Sequence, residues 1–286
     1  MLMRSKLFVP GSRPELFEKA MLSPADALSF DLEDAVAESR KDEARQAVAA
    51  FLSTARPGKI IVVRVNAPGT PHHTADMAAI ALPRLDLVNL PMIEEPGAIV
   101  DAATLLDRAD PERRIRLLIN IETPRALRRA AELAAAHPRV AGLQVGYGDL
   151  FEPHGIDRMD RAALDHVRLA VRLAAAEAGV FAVDGAYANV ADNDGYRAEC
   201  EAARRQGYAG KSCIHPSQVP LANTGFLPGA AEVDRARRIL QAAAAAEAQG
   251  VGAYMVDGRM VDGPFVAGAR AIVALADRAL PAWTTA

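Results

Sequence analysis

The sequence predicts a (β/α)8 barrel, and three observations carry that expectation. Eight short apolar runs recur along the chain, each followed by a longer segment rich in Ala, Leu and Arg. The runs are continuously apolar rather than strictly alternating, as strands buried on both faces of a parallel sheet are. The length of 286 residues suits one barrel of roughly 250 residues with an appendage. A doubly wound open sheet is the alternative, because periodicity does not distinguish a closed sheet from an open one.

Taken in order, the expected strands cover residues 6–9, 27–30, 60–65, 87–90, 117–121, 142–145, 180–183 and 210–214. The last is the least regular, since Lys211 and Ser212 interrupt it. The expected helices cover 14–22, 39–52, 74–81, 95–108, 124–136, 161–178, 196–206 and 231–248. Thr123 before Pro124 puts a capping side chain ahead of a proline at the first helical position. Pro228-Gly229 breaks the chain before the eighth helix. Beyond that helix, Tyr254-Met255-Val256 and Met260-Val261 flank Asp257-Gly258, a hairpin signal. A last helix is expected from about 264 to 279. The expected organisation is a catalytic barrel over 1–249 and, over 250–286, a C-terminal hairpin and helix extension that packs on a neighbouring subunit.

The composition excludes several functions. At 51% hydrophobic residues and a net charge of -3, the chain is too apolar and too evenly charged for disorder. The same charge argues against a nucleic acid or an anionic membrane as partner, so acidic substrates need a local basic pocket. Two cysteines, Cys200 and Cys213, make no disulfide framework, and a reducing cytoplasm is the expected setting. Residues 1–6 lack an apolar core, and charges interrupt every long apolar stretch. Neither a secretion signal nor a membrane span is expected.

In a barrel, chemistry gathers at the C-terminal ends of the strands. The second expected strand runs into Asp31-Leu32-Glu33-Asp34, the third into Arg64-Val65-Asn66, the fifth into Ile121-Glu122-Thr123-Pro124 and the sixth into Gly146-Tyr147-Gly148-Asp149. Glu122 and Asp149 follow adjacent strands, so their carboxylates can converge. Two carboxylates suit a hard cation such as magnesium, which keeps waters and leaves room for substrate oxygens. For either acid alone, capping a helix or a turn is the commoner arrangement; convergence of both with Arg64 favours function. Arg64 ends an apolar strand and needs a partner, Asp31, Glu33 or Asp34. It also suits recognition of a carboxylate or an enolate oxygen. His72 and His73 are expected in a solvated loop. His215 follows the eighth strand and is expected to face the mouth. There is no zinc spacing, nucleophile elbow or phosphate loop.

Taken together, these segments resemble the HpcH/HpaI aldolase and citrate lyase β-subunit family. The resemblance begins with Arg4-Ser5-Lys6-Leu7-Phe8-Val9-Pro10-Gly11 and Asp31-Leu32-Glu33-Asp34-Ala35-Val36. It continues through Arg64-Val65-Asn66, Ile121-Glu122-Thr123-Pro124 and Gly148-Asp149-Leu150. It ends with Ile214-His215-Pro216-Ser217-Gln218 and Gly258-Arg259-Met260-Val261-Asp262-Gly263-Pro264, so it covers nearly the whole chain. It implies a barrel with a C-terminal extension, assembled as a trimer or hexamer. It implies Mg2+ on Glu122 and Asp149, with Glu33 and Asp34 supporting them from behind. Arg64 would act at the reacting carbonyl, and Asp262, from a neighbouring subunit, would be the acid/base. Substrate contacts are expected from Arg64, Glu122 and His215. The implied reaction is reversible cleavage of a 3-hydroxyacyl-CoA thioester into an acyl-CoA and a 2-oxo acid. One departure is Leu90-Pro91-Met92, where many relatives carry Leu-Pro-Lys. Two alternatives stay open: a citrate lyase β subunit acting on a carrier-bound citryl thioester, and a non-catalytic barrel used as a binding or scaffold protein.

Overall fold

A computed structural model describes residues 2–54 and 58–279. Eight parallel strands close into a barrel in sequence order: β1 Ser5–Pro10, β2 Ala27–Asp31, β3 Ile60–Arg64, β4 Leu87–Leu90, β5 Arg116–Ile121, β6 Val140–Val145, β7 Phe181–Asp184 and β8 Gly210–Cys213. Pairing of β1 with β8, Lys6 against Ser212, closes the ring. All eight expected strands are present, and the closed ring excludes the doubly wound alternative.

The helices are α1 Phe17–Met21, α2 Lys41–Thr54, α3 His73–Ile80, α4 Pro96–Asp107, α5 Pro124–Arg128, α6 Ala130–Ala135, α7 Tyr147–Phe151, α8 Arg161–Glu177, α9 Asn193–Arg205, α10 Gln218–Gly225, α11 Ala230–Ala248 and α12 Gly263–Ala279. Local chemistry fixes their ends. Thr123 Oγ1 accepts the Ala126 N–H at 3.1 Å and caps α5 as expected. Asp160 caps α8 through the Ala163 N–H at 2.7 Å. Beyond α8, Gly179 takes φ 69° and the Val180 N–H bonds back to the Ala175 carbonyl. Three expectations change. The helix expected over 124–136 divides at Arg129 into α5 and α6. The short helices α7 and α10 lie where loops were expected.

The chain falls into two compact units, Met1–Phe226 and Leu227–Ala286. The first unit ends at Phe226, inside the barrel domain expected over 1–249. Helix α10 already completes the eighth βα repeat, while α11 shares its apolar cluster with the C-terminal hairpin and α12 through Ala236, Ile239, Val256, Val261 and Ala269. In this second unit, β9 Tyr254–Val256 and β10 Arg259–Val261 pair antiparallel around Asp257 and Gly258, both at positive φ, as the sequence predicts.

The barrel interior is graded. At its lower end Met3, Ala27, Val62, Leu87, Leu118 and Val183 form an apolar plug, separate from the large core between strands and helices. Two residues further along the strands the same inward positions turn polar: Ser29, Asn89, Asn120, and then Lys6, Gln144 and Ser212 by register. Above them lie Phe8, Asp31, Arg64 and Glu122. The gradient places charge at the C-terminal mouth and keeps the base of the barrel dry.

Candidate active site

A cavity of about 430 Å3 opens at this mouth. Its walls include Phe8, Asp31, Asp34, Arg64, Glu122 and Asp149. Arg64 ends β3, and its planar fork is held from one side. Nε and Nη2 donate to the two Asp31 oxygens at 2.7 and 2.6 Å. Nη1 lies 2.9 Å from Asp34 and 3.0 Å from Glu33. All three partners named from sequence are engaged. Burial works against the Arg64 charge, but these carboxylates outweigh it and hold the guanidinium protonated beyond its ordinary range. Burial likewise opposes the charge of Asp31, but Arg64 and the N–H groups of Glu33 and Ala35 keep its carboxyl below the usual range. Glu33 behaves otherwise. Burial, with Asp34, Glu122 and Asp31 nearby, pushes it up to about 8 despite Arg64.

Glu122 follows β5 and is 2% exposed. One oxygen accepts the Met92 N–H at 2.7 Å, and the other accepts the Asn120 amide at 2.9 Å. It does not cap a helix, since Thr123 does that. Burial, reinforced by Asp149, pushes the carboxyl up to about 7 against the two hydrogen bonds and Arg64. Asp149 sits in the first turn of α7, faces the cavity and makes no capping bond. Burial and then Asp34 raise its carboxyl too. Gly146, between β6 and α7, lets the Glu122 carboxylate approach the backbone; a Cβ there would overlap it. Among the described residues, neither Glu122 nor Asp149 has an ion-pair partner. Two carboxyls lining one cavity, each raised by burial and by a neighbouring carboxylate, fit a cation. No group of three or more His, Cys, Asp or Glu with metal-holding geometry occurs among the described residues. A metal here would take two protein carboxylates and fill its remaining positions with water or substrate oxygens, the habit of magnesium.

The other expected residues fall elsewhere. His215 is exposed in the turn after β8, its Nδ1 2.8 Å from Ser217 Oγ. Ile214, not His215, lines the cavity. His73 is not solvated, and His72 is only partly exposed. His73 is buried against the Asn66 carbonyl at 2.8 Å, and His72 lies between Glu38 and Arg45. Asp262 belongs to the second unit. Its Oδ1 is buried without a hydrogen-bond partner among the described residues, in a hollow shared with Tyr254 and Arg270. Met92 takes φ 52°, a left-handed value rare outside glycine. Its backbone, not its half-exposed side chain, holds Glu122.

Two groups of residues escaped the sequence reading. The first is the amide chain beneath Glu122: Asn89 Nδ2 donates to Asn120 Oδ1 at 2.7 Å, and Gln144 Nε2 donates to the same oxygen at 3.1 Å. Its signal was a neutral polar residue inside an apolar strand: Asn89 in β4, Asn120 in β5 and Gln144 in β6. The second lies between strands and helices. Asp184 accepts from Tyr147 OH at 2.8 Å, Arg168 at 3.1 Å and Lys211 Nζ at 2.6 Å. Lys211 and Arg158 also bind Glu199. This cluster anchors Tyr147, a cavity wall residue. It also explains Lys211 in β8, which points outward to Asp184 while Ser212 points inward.

Among the described residues, no helix is long and apolar enough to cross a membrane. Comparison with known proteins agrees with the geometry. Residues 4–216 match the family model for HpcH/HpaI aldolase/citrate lyase. A (3S)-malyl-CoA thioesterase of Cereibacter sphaeroides is 38% identical over 276 residues, 96% of this chain and 94% of the relative. The citrate lyase subunit beta of Escherichia coli is 34% identical over 281 residues, covering 96% of this chain and 93% of that protein. The crystal structure of CitE from Mycobacterium tuberculosis, in complex with magnesium, acetoacetate and coenzyme A, superposes with a TM-score of 0.80 at 33% identity, covering 96% of this chain and 98% of that one. With its closed barrel, its carboxylate pair beside a clamped arginine and this similarity along nearly its whole length, the chain belongs to the HpcH/HpaI aldolase/citrate lyase family.

Proposed function

We propose that the protein is a magnesium-dependent carbon–carbon lyase. Its substrate is a 3-hydroxyacyl-CoA thioester of malyl- or citramalyl-CoA type, cleaved to, or formed from, an acyl-CoA and a 2-oxo acid. The observation that carries this reading is the meeting of Arg64, Glu122 and Asp149 on one cavity wall. Magnesium, when bound, supplies a Lewis acid toward the carboxylate and carbonyl oxygens of the 2-oxo acid. Glu122 and Asp149 would hold it, and the Met92 N–H and the Asn120 amide fix the Glu122 carboxylate for that task. Arg64, clamped by Asp31, offers a fixed positive charge to the oxygen that becomes negative at the reacting centre. In cleavage the 3-hydroxyl gives up its proton to solvent water, C3 becomes the carbonyl carbon of the 2-oxo acid as the bond between C2 and C3 breaks, and C2 of the thioester enolate so formed takes a proton. Asp262 is the group assigned to that proton, reaching the mouth of a neighbouring copy in a trimer or hexamer. No covalent nucleophile is required, and the thiols of Cys200 and Cys213, pushed up to about 12 by burial, offer none at neutral pH.

Thioester hydrolysis is the second reading, favoured by the relative named as a malyl-CoA thioesterase. A panel of 3-hydroxyacyl-CoA thioesters, incubated with and without magnesium, separates the two. Release of acyl-CoA together with a 2-oxo acid supports the lyase. Release of free coenzyme A with an intact 3-hydroxy acid supports hydrolysis. Turnover of a carrier-bound citryl thioester alone would replace both with the citrate lyase β-subunit role.

A further inference from the structure

Helix α8 turns Leu164, Val167, Val171, Ala174 and Ala175 to the barrel, where they are buried. On its outer face Ala162, His166, Leu169, Leu173 and Ala176 are exposed. These five follow one another at steps of four, three, four and three residues. That is the spacing of a coiled-coil seam, where apolar positions recur about every 3.5 residues and line up along one side of the helix. Leu169 is 48% exposed and Leu173 67%. Ile156 and Met159, just before the helix, are exposed as well. A groove of about 580 Å3 lies beside the seam, and Leu127, Leu150, Phe151, Ile156, Ala163 and Ala170 are among its walls. Scattered surface leucines need no account, but a contiguous apolar patch with a groove beside it marks an interaction surface.

This face is complementary to itself. With about 3.6 residues per turn, Leu173 leans to the side on which Ala163, His166 and Ala170 border the groove. Asp165 and Arg172, both partly exposed, lie along the other side. In two copies of α8 packed antiparallel about a two-fold axis near Leu169, each side of one helix meets the same side of the other. Leu173, about 10 Å along the helix from His166, then enters the groove of the second copy and its own groove receives that copy's Leu173. Along the opposite side Asp165 comes face to face with Arg172. Asp165 already accepts Gln206 Nε2 at 2.8 Å, and a carboxylate keeps lone pairs for a guanidinium beside it. We propose that α8 is the seam of an isologous contact with a second copy of this chain, Leu173 filling the neighbouring groove and Asp165 pairing with Arg172. The inference stands apart from the lyase reading and from the contact that would bring Asp262 to a neighbour. Such a contact joins copies two by two, so the assembly holds an even number of chains.

Light scattering on the full chain after size-exclusion chromatography counts the copies, and sedimentation over a concentration series gives the dissociation constant of the contact. Wild type is expected to hold an even number of chains. Leu173→Glu puts a carboxylate into each apolar groove and is expected to weaken the contact on the order of 100-fold. The mass should then halve at a concentration where wild type stays intact. The far-ultraviolet spectrum should not change, because Leu173 is exposed on its own barrel. Asp165→Arg and Arg172→Asp are each expected to weaken the contact on the order of 10-fold, each change being made twice across the axis, and the double variant to restore it. A monomer or an odd number of chains in wild type overturns the proposal, as does a folded Leu173→Glu of unchanged mass. A double variant no tighter than either single one overturns the antiparallel arrangement.

Discussion

Arg64 shows how one residue carries both a structural and a chemical role. Its charge is costly at the end of a buried strand, and three carboxylates offset that cost. The same bonds leave the guanidinium no freedom to turn, which makes it a preorganised donor. Arg64→Lys keeps the charge and loses the fork that grips both Asp31 oxygens. Turnover is expected to fall on the order of 10²-fold, with the far-ultraviolet spectrum unchanged. Near-wild-type turnover would reduce Arg64 to a neutraliser of its neighbours. Arg64, Glu122 and Asp149 were legible in the sequence because each interrupts or follows an apolar strand with a charge. Asn89, Asn120 and Gln144 were not. A neutral polar residue in a strand reads as a blemish, and what gives it meaning is a partner on the neighbouring strand, a helix and two loops away. His215 failed for the opposite reason: it follows the correct strand, but the turn after β8 carries it outside the cavity.

At the scale of elements, the strands were legible because a parallel sheet buried on both faces imposes a run of apolar residues. The short helices α7 and α10 were not: one spans only five residues and contains Gly148, and the other contains Pro220. Both lie at the ends of strands that shape the cavity. Helix α7 carries Tyr147 and Asp149, and its hold on the barrel is the Tyr147–Asp184 bond backed by Arg168, Lys211 and Glu199. Burial disfavours the Asp184 charge, yet Lys211 and Arg168 outweigh it and keep the carboxyl well below its ordinary range. A carboxyl lowered on folding contributes stability that is fully present above the ordinary value of 3.8 and is lost as pH falls through the still lower folded value. Asp184→Asn strands two buried cations on Glu199. It is expected to cost about 3–5 kcal/mol at pH 7, with the gap from wild type narrowing as pH falls below the carboxylate range. Denaturant titrations at pH 7 and pH 3 check this. A gap of the same size at both would mean that the Asp184 charge contributes nothing.

For the whole molecule, the barrel unit holds Arg64, Glu122 and Asp149, while Asp262 lies in the second unit. The hairpin bearing it exposes Met255 and Met260, and α12 exposes Phe265, apolar surface of the kind that protein interfaces cover. If neighbouring copies share each site, chains of Asp262→Asn and of Glu122→Gln, each inactive alone, should regain activity when co-expressed. Verified mixed oligomers with no activity would count against sharing. Underneath that question lies the central claim, that Glu122 and Asp149 hold the metal on which the chemistry depends. Calorimetric titration of magnesium into wild type and Glu122→Gln at pH 8, beside their thermal unfolding in metal-free buffer, tests it most directly. Glutamine removes a charge that burial disfavours and mismatches one hydrogen bond, so the unfolding midpoint should stay within about 4 °C. The account predicts one magnesium bound by wild type and none by the folded variant. Magnesium bound by Glu122→Gln with wild-type affinity would contradict it.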